Sequence, residues 1–174
     1  MPYLIDGNNL MAQVPGWRQN VAAARKWLVR DLVEFVAAYR VKVKVVFDGI
    51  PDEKLPDGIS YKGVTVLYAT PGSDADSRIK SIIASSSHKR DLIVVSSDQE
   101  IAAFANCQGA KVCAAHEFRT ILDAMSEADH TPEKKRGLSR DEVLAWLEYF
   151  RGGVSNSESQ KNNGSSHKKR PPRN

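Results

Sequence analysis

Short β-branched runs alternate with stretches of helical period along the first 128 residues, and this alternation limits the accessible folds more than any other feature. Strands are predicted near Tyr3–Ile5, Val41–Phe47, Val64–Tyr68, Leu92–Ser96 and, more weakly, Ala110–Cys113. Between the first two lies an amphipathic helix. It carries Val21, Ala24, Leu28, Leu32, Phe35, Val36 and Tyr39 on one face, has Asn20 as N-cap, and leaves Arg25, Lys26 and Arg30 largely off that face. A second helix is expected from Asp74 or Asp76, turning Ile79, Ile82 and Ile83 inward. A third follows Asp98 through Ile101, Phe104 and Ala105, and a fourth runs from about His116 to Ala128. Strand–helix alternation of this kind predicts right-handed crossovers and a mostly parallel central sheet covered on both faces, a three-layer α/β sandwich.

Four aspartates fall where a predicted strand gives way to a turn or helix: Asp6, Asp48, Asp76 and Asp98. In a parallel sheet the residues just past the strands' carboxyl ends gather at one edge, where such folds bind ligands. Each acid has an ordinary explanation. Asp6 before Gly7-Asn8-Asn9 suits an Asx turn, Asp74 and Asp76 suit a helix N-terminus, and either Ser97 or Asp98 can cap the next helix. Asp48 could pair with a basic side chain. Together the four demand more. At ~5 Å and an effective dielectric of about 20, each carboxylate pair repels by roughly 3 kcal/mol before screening. An all-oxygen set of this kind suits Mg²⁺ or Mn²⁺.

Charge is distributed unevenly. From Arg151 onward six Lys/Arg face the single acid Glu158, a net +5; residues 1–150 keep 19 of the 25 basic and 20 of the 21 acidic residues, a net −1. The sequence thus divides into a domain over 1–128, a polar connector at 129–137, a short amphipathic helix at 138–151 and a disordered basic tail at 152–174. Ser139 and Glu142 form a capping box for that helix, with Leu138 and Val143 as its staple. Cys107 and Cys113 match neither a zinc motif nor a disulfide framework, which points to a reducing, cytoplasmic setting. A core strand directly after the initiator Met leaves no room for a signal segment, and no apolar run is long enough to span a bilayer. No Walker-type loop, no GxGxxG after the first strand and no Gly-x-Ser-x-Gly elbow is present, and the four histidines show no ligand spacing.

Five segments in order, Leu4–Leu10, Val45–Gly49, Val66 through Ile79, Val94–Asp98 and Gly109 through Phe118, resemble the YacP-like branch of the NYN-domain family within the PIN-like nuclease superfamily. The first motif departs from the family's Asp-Gly-Tyr-Asn by carrying Asn8 in place of the aromatic residue. The resemblance implies a PIN-like Rossmannoid fold and metal-dependent endoribonuclease activity. Asp6, Asp48, Asp76 and Asp98 would be the acidic Mg²⁺ or Mn²⁺ centre, supported by Asn9 and Ser97. RNA is the implied partner, whether messenger or ribosome-bound. Arg78, Lys80 and Lys62 are candidates for holding substrate phosphate, and Lys168, Lys169 and Arg170 of the tail would add sequence-independent attraction. A non-catalytic RNA-binding module with the same fold is the alternative. A phosphatase with Asp6 as nucleophile is disfavoured by the lack of a second acid at position 8. The sequence leaves the oligomeric state open, a dimer included.

Overall fold

A computed structural model describes residues 1–69 and 71–128. The connector, the C-terminal helix and the basic tail expected from the sequence lie outside the described residues. In chain order the elements are β1 (Pro2–Asp6), α1 (Gly7–Met11), a 3₁₀ turn (Trp17–Asn20), α2 (Val21–Tyr39), β2 (Lys42–Phe47), β3 (Ser60–Tyr61), β4 (Val64–Tyr68), α3 (Ala75–Ser85), a second 3₁₀ turn (Lys89–Asp91), β5 (Ile93–Val95), α4 (Gln99–Cys107), β6 (Lys111–Cys113) and α5 (Ala115–Ala128). They build a six-stranded sheet of order β3-β4-β2-β1-β5-β6, parallel except for β3. The predicted α/β sandwich is therefore present. The structure adds two elements: the short helix α1 in place of a plain turn after Asp6, and the two-residue antiparallel edge strand β3.

Two apolar layers hold the sheet. One face packs Tyr3, Ile5, Val43, Val45 and Val66 against Leu28, Leu32 and Phe35 of α2 and Phe118 and Ile121 of α5. Phe35 lies edge-on to Phe118, with ring centroids 5.0 Å apart, an arrangement that aromatic quadrupoles favour. The other face packs Leu4, Val46 and Val94 against Ile79 and Ile83 of α3 and Ile101 and Ala105 of α4. Arg119 of α5 reaches Asp31 of α2 at 3.2 Å and so ties the two helices of the first layer together. Asn20 caps α2 as expected, accepting from the Ala23 N–H at 3.0 Å. Among the described residues no helix is long and apolar enough to cross a membrane.

Chain order and space part company at β1. The first strand sits in the sheet's middle, and the chain moves outward through β2 and β4 on one side, then through β5 and β6 on the other. β1 and β5 flank the point where the winding reverses, so the loops leaving their carboxyl ends diverge and open a crevice.

Candidate functional site

The carboxyl ends of β1, β2 and β5 deliver polar side chains to this crevice. Asp6 closes β1 and caps α1: its Oδ1 accepts from the Asn9 N–H at 3.0 Å, and its Oδ2 accepts from the Ser96 hydroxyl at 3.0 Å. The Ser96 oxygen in turn accepts from the Asp98 N–H at 3.1 Å. Asn9 spans the same gap one layer out, its Oδ1 accepting from the Ser97 N–H at 3.2 Å. The two loops at the reversal point are thus bonded twice.

Asp48, directly after β2, is held as firmly. Its Oδ2 accepts from the Asn8 amide at 3.1 Å, its Oδ1 accepts from the Ala75 N–H at 2.7 Å, and its own N–H donates to Asn8 Oδ1 at 3.4 Å. One carboxylate therefore fixes both α1 and the start of α3. Behind it stands Arg25 of α2, whose guanidinium donates to the Asp48 carbonyl and, at 3.0 Å, to the Ile50 carbonyl. That guanidinium lies 5.5 Å from the Phe47 ring centroid and 5.1 Å from that of Tyr68, within cation–π range. The position predicted to lie off the apolar face is buried instead: loop carbonyls and two rings partner the charged group, though its Nε bonds nothing among the described residues. Gly49, at φ +83°, lets the chain turn tightly over Arg25.

Asp74 is the N-cap of α3, accepting from the Ser77 N–H at 2.7 Å, and hydrogen bonding holds its carboxyl below the ordinary range. Asp76, in the first turn of the helix, differs. Its carboxylate accepts no hydrogen bond and forms no ion pair among the described residues. Burial, reinforced by the nearby charges of Asp98, Asp74 and Asp48 against the relief given by Lys80, pushes its pKa upward. Asp6 is also raised, first by burial and then by Asp76 and Asp48, with the Asn9 and Ser96 hydrogen bonds opposing. Asp6, Asp48, Asp76 and Asp98 thus act on one another electrostatically across the crevice.

The geometry bears on several of these readings. Burial exceeds mutual repulsion as the cause of the raised acids. Among the described residues no three acidic, His or Cys side chains close to the spacing that encloses an ion. The donor chemistry still fits a hard divalent cation: every candidate ligand is oxygen, carboxylate oxygens that accept one hydrogen bond keep further acceptor capacity, and Asp76 is unengaged. Asp98, not Ser97, caps α4, its Oδ1 accepting from Glu100 and Ile101 N–H groups at 2.8 and 3.0 Å. The Ser97 hydroxyl oxygen instead accepts from the Ala115 N–H at 3.0 Å, at the start of α5.

The basic candidates separate. Lys80 is near enough to feel Asp76 and Asp98, but its ammonium pairs with Glu100 on α4, not with Asp76. Half-buried Arg78 lines a cavity beside the Asp48 loop. Lys62 does not reach the crevice. It sits in the turn before β4, at the amino end of a strand whose carboxyl end is Tyr68, with its ammonium over the Tyr61 ring at 5.3 Å. Five residues of strand, roughly 3.3 Å each, separate it from the acidic edge. Lys168, Lys169 and Arg170 lie outside the described residues. Sequence reasoning missed Asn8, Arg25 and Ser96: Asn8 and Ser96 bond the Asp48 and Asp6 carboxylates, and Arg25 bonds the Asp48 and Ile50 backbone carbonyls. The first two came closest to being legible, as a polar replacement in a motif and as a charge near a helix's apolar face.

The sequence model of the YacP-like NYN domain matches residues 3–148. Among solved structures, the chain is similar to Rae1 (YacP) from Bacillus subtilis, with a TM-score of 0.57 and 24% identity over 88% of this chain and 95% of that one. A mutant form of the same protein aligns with a TM-score of 0.60 and 23% identity over 73% of this chain and 77% of that one. Identities this low speak for the fold alone. No curated protein gives a significant match.

Proposed function

The chain belongs to the YacP-like NYN-domain family, and on that premise we propose that it is an endoribonuclease that hydrolyses RNA phosphodiester bonds at the acidic crevice. The observation that carries the reading is Asp76: an unpartnered, partly buried carboxylate that faces the charges of Asp98, Asp74 and Asp48. Its place in the first turn of α3 complements the helix dipole, but Asp74 already caps that helix, and holding a second acid unpaired among like charges costs stability.

Asp6, Asp48, Asp76 and Asp98 would hold Mg²⁺ or Mn²⁺: Asp76 is free of internal hydrogen bonds, Asp98 accepts its own through Oδ1, and the oxygens of Asp6 and Asp48, each accepting one hydrogen bond, keep acceptor capacity. Asp48 also fixes the approach of α3. A divalent ion bound there supplies a water of lowered pKa and a counter-charge for the phosphate. The remaining work falls to the chain itself. The Asp6–Ser96–Asp98 relay keeps the two central acids in register, and Asn9 with Ser97 holds the β1 and β5 loops at a fixed separation. Arg78 donates to a substrate phosphate near the edge. The basic tail draws RNA toward a body that is close to neutral.

A fluorogenic RNA assay tests this. Cleavage should appear with Mn²⁺, vanish with EDTA, and fall on the order of 100-fold or more in Asp6→Asn and Asp98→Asn. Full-rate cleavage by either variant removes the assigned centre. The alternative, a non-catalytic RNA-binding module, draws on the absence of a closed three-carboxylate cage among the described residues. RNA binding without any metal-dependent cleavage would establish it.

A further inference from the structure

A cavity of about 500 Å³ opens between the loop that follows Asp48 and the loop that leads into α3. Gly49, Ile50 and Pro51 form one wall and Pro71 and Gly72 another, with Tyr68 and Arg78 between them. It adjoins the acidic edge on both sides: Asp48 immediately precedes the first wall, and Arg78 stands two residues beyond Asp76. Its size lies within the range of small-ligand pockets.

Two side chains lining this cavity carry unmet hydrogen-bonding capacity. The Tyr68 hydroxyl and the Arg78 Nε are both shielded from solvent, and neither has a partner. Tyr68 is 2% exposed, its ring centroid 5.8 Å from that of Phe47 and 5.1 Å from the Arg25 guanidinium, so packing fixes where the ring sits. Buried polar atoms in native proteins are nearly always bonded, and those left over commonly await a ligand or water. Meanwhile Ile50, 87% exposed, stands at the rim, pinned there by the bond from Arg25 to its carbonyl. The set comprises the Arg78 cation, a hydroxyl able to donate and accept, the Asp57 carboxylate, occupied by the Tyr68 N–H at 2.8 Å, and apolar walls that include two prolines. Those are the contacts a nucleotide requires: an acceptor-rich phosphate for the guanidinium, a polar edge for the hydroxyl, and a flat base for the apolar wall.

We propose that this cavity is a subsite for one nucleotide of the substrate strand, next to the bond that is cut. Arg78 holds its phosphate, and Tyr68 bonds the sugar or base. The inference rests on the nuclease reading for the words "substrate strand" and on the cavity alone for nucleotide binding. In consequence one nucleotide flanking the cleavage site is held through a residue that touches neither metal nor scissile bond.

Titration of the full-length protein with each of the four ribonucleoside 5′-monophosphates, followed by calorimetry, tests it. At least one should bind saturably, and Tyr68→Phe and Arg78→Gln should each weaken that binding by about fivefold or more, the loss expected for one hydrogen bond. Tyr68→Phe is the sharper variant. A hydroxyl that bonds nothing in the protein can be deleted without lowering Tm, so binding falls while the melting temperature holds or rises. No monophosphate bound, or equal binding by wild type and both variants, overturns the subsite, as does a Tm that drops on loss of the hydroxyl. Cleavage of RNA without monophosphate binding removes the subsite and leaves the nuclease reading. Monophosphate binding without cleavage does the reverse.

Discussion

Asp76 and Arg25 mark opposite fates of a charged side chain at one edge. Burial holds Asp76 above the ordinary carboxyl range, so folding favours its protonated form. That contribution is complete below the unfolded pKa and is lost as pH rises through the folded one, so at neutral pH the ionised group opposes folding. Asp76→Asn should therefore raise Tm at pH 7 by about 1 °C, the screened value for a largely exposed group, and the gain should close on acidification. Cleavage should fall on the order of 100-fold or more in the same variant, and any rise of Tm with added Mn²⁺ should shrink. Thermal melts across pH with and without the metal check this. Asp74 has the opposite sign. Its lowered pKa stabilises above the unfolded value, and that support is lost as pH falls. Arg25 is held through its two terminal nitrogens, while its buried Nε has no partner among the described residues. Arg25→Met strips the donors from two loop carbonyls and should cost about 1–3 kcal/mol in urea titration. Turnover should drop as Asp48 loosens, and Arg25→Lys should recover only part of it, because an ammonium lacks the planar fork. Asp6, Asp48 and Asp98 were legible because each lies at or just past the end of a strand, and Asp76 because it opens the helix after β4. The role of Arg25 was not, since helical period reports which face a residue occupies, and loop carbonyls that accept from it are invisible until the loop is placed.

Among the elements, those with strong periodicity were read nearly to the residue: α2 from its Asn20 cap to Tyr39, and the strands β1, β2 and β4. Elements of two to five residues without such a pattern were not. α1 exists because Asp6 caps it and β2 receives it, and β3 because β4 offers an edge; neither has enough length to show a period. The contact between α1 and β2 is unusually close. A Cβ placed on Gly7 would stand 2.4 Å from the Phe47 ring and 2.9 Å from the Val46 carbonyl oxygen. Gly7→Ala should thus cost about 1–3 kcal/mol by overpacking. It should also reduce cleavage, because the displaced ring immediately precedes Asp48. Chemical denaturation at unchanged m-value, beside the RNA assay, distinguishes this from a change in the unfolded state.

For the molecule as a whole, charge is divided by location: a near-neutral body and a +5 terminal stretch. Removing residues 152–174 should weaken RNA binding most at low salt. The log–log salt slope should flatten by about 2–4, at roughly 0.7 per phosphate neutralised on a single strand. Filter binding from low to moderate salt measures it, and an unchanged slope would show that the body alone engages the backbone. The parallel sheet and its acidic edge were legible at this scale from strand order and charge. The reversal point at β1 was not, because pairing across it joins residues as distant as Asp6 and Ser96. That separation has a bearing on biosynthesis. The four acids enter the chain at positions 6, 48, 76 and 98, and the strand that receives Asp6 on its far side is among the last to be made. A nascent polypeptide halted before codon 98 lacks one of the four acids, so on the proposed reading it cannot cut RNA until most of the domain has been synthesised.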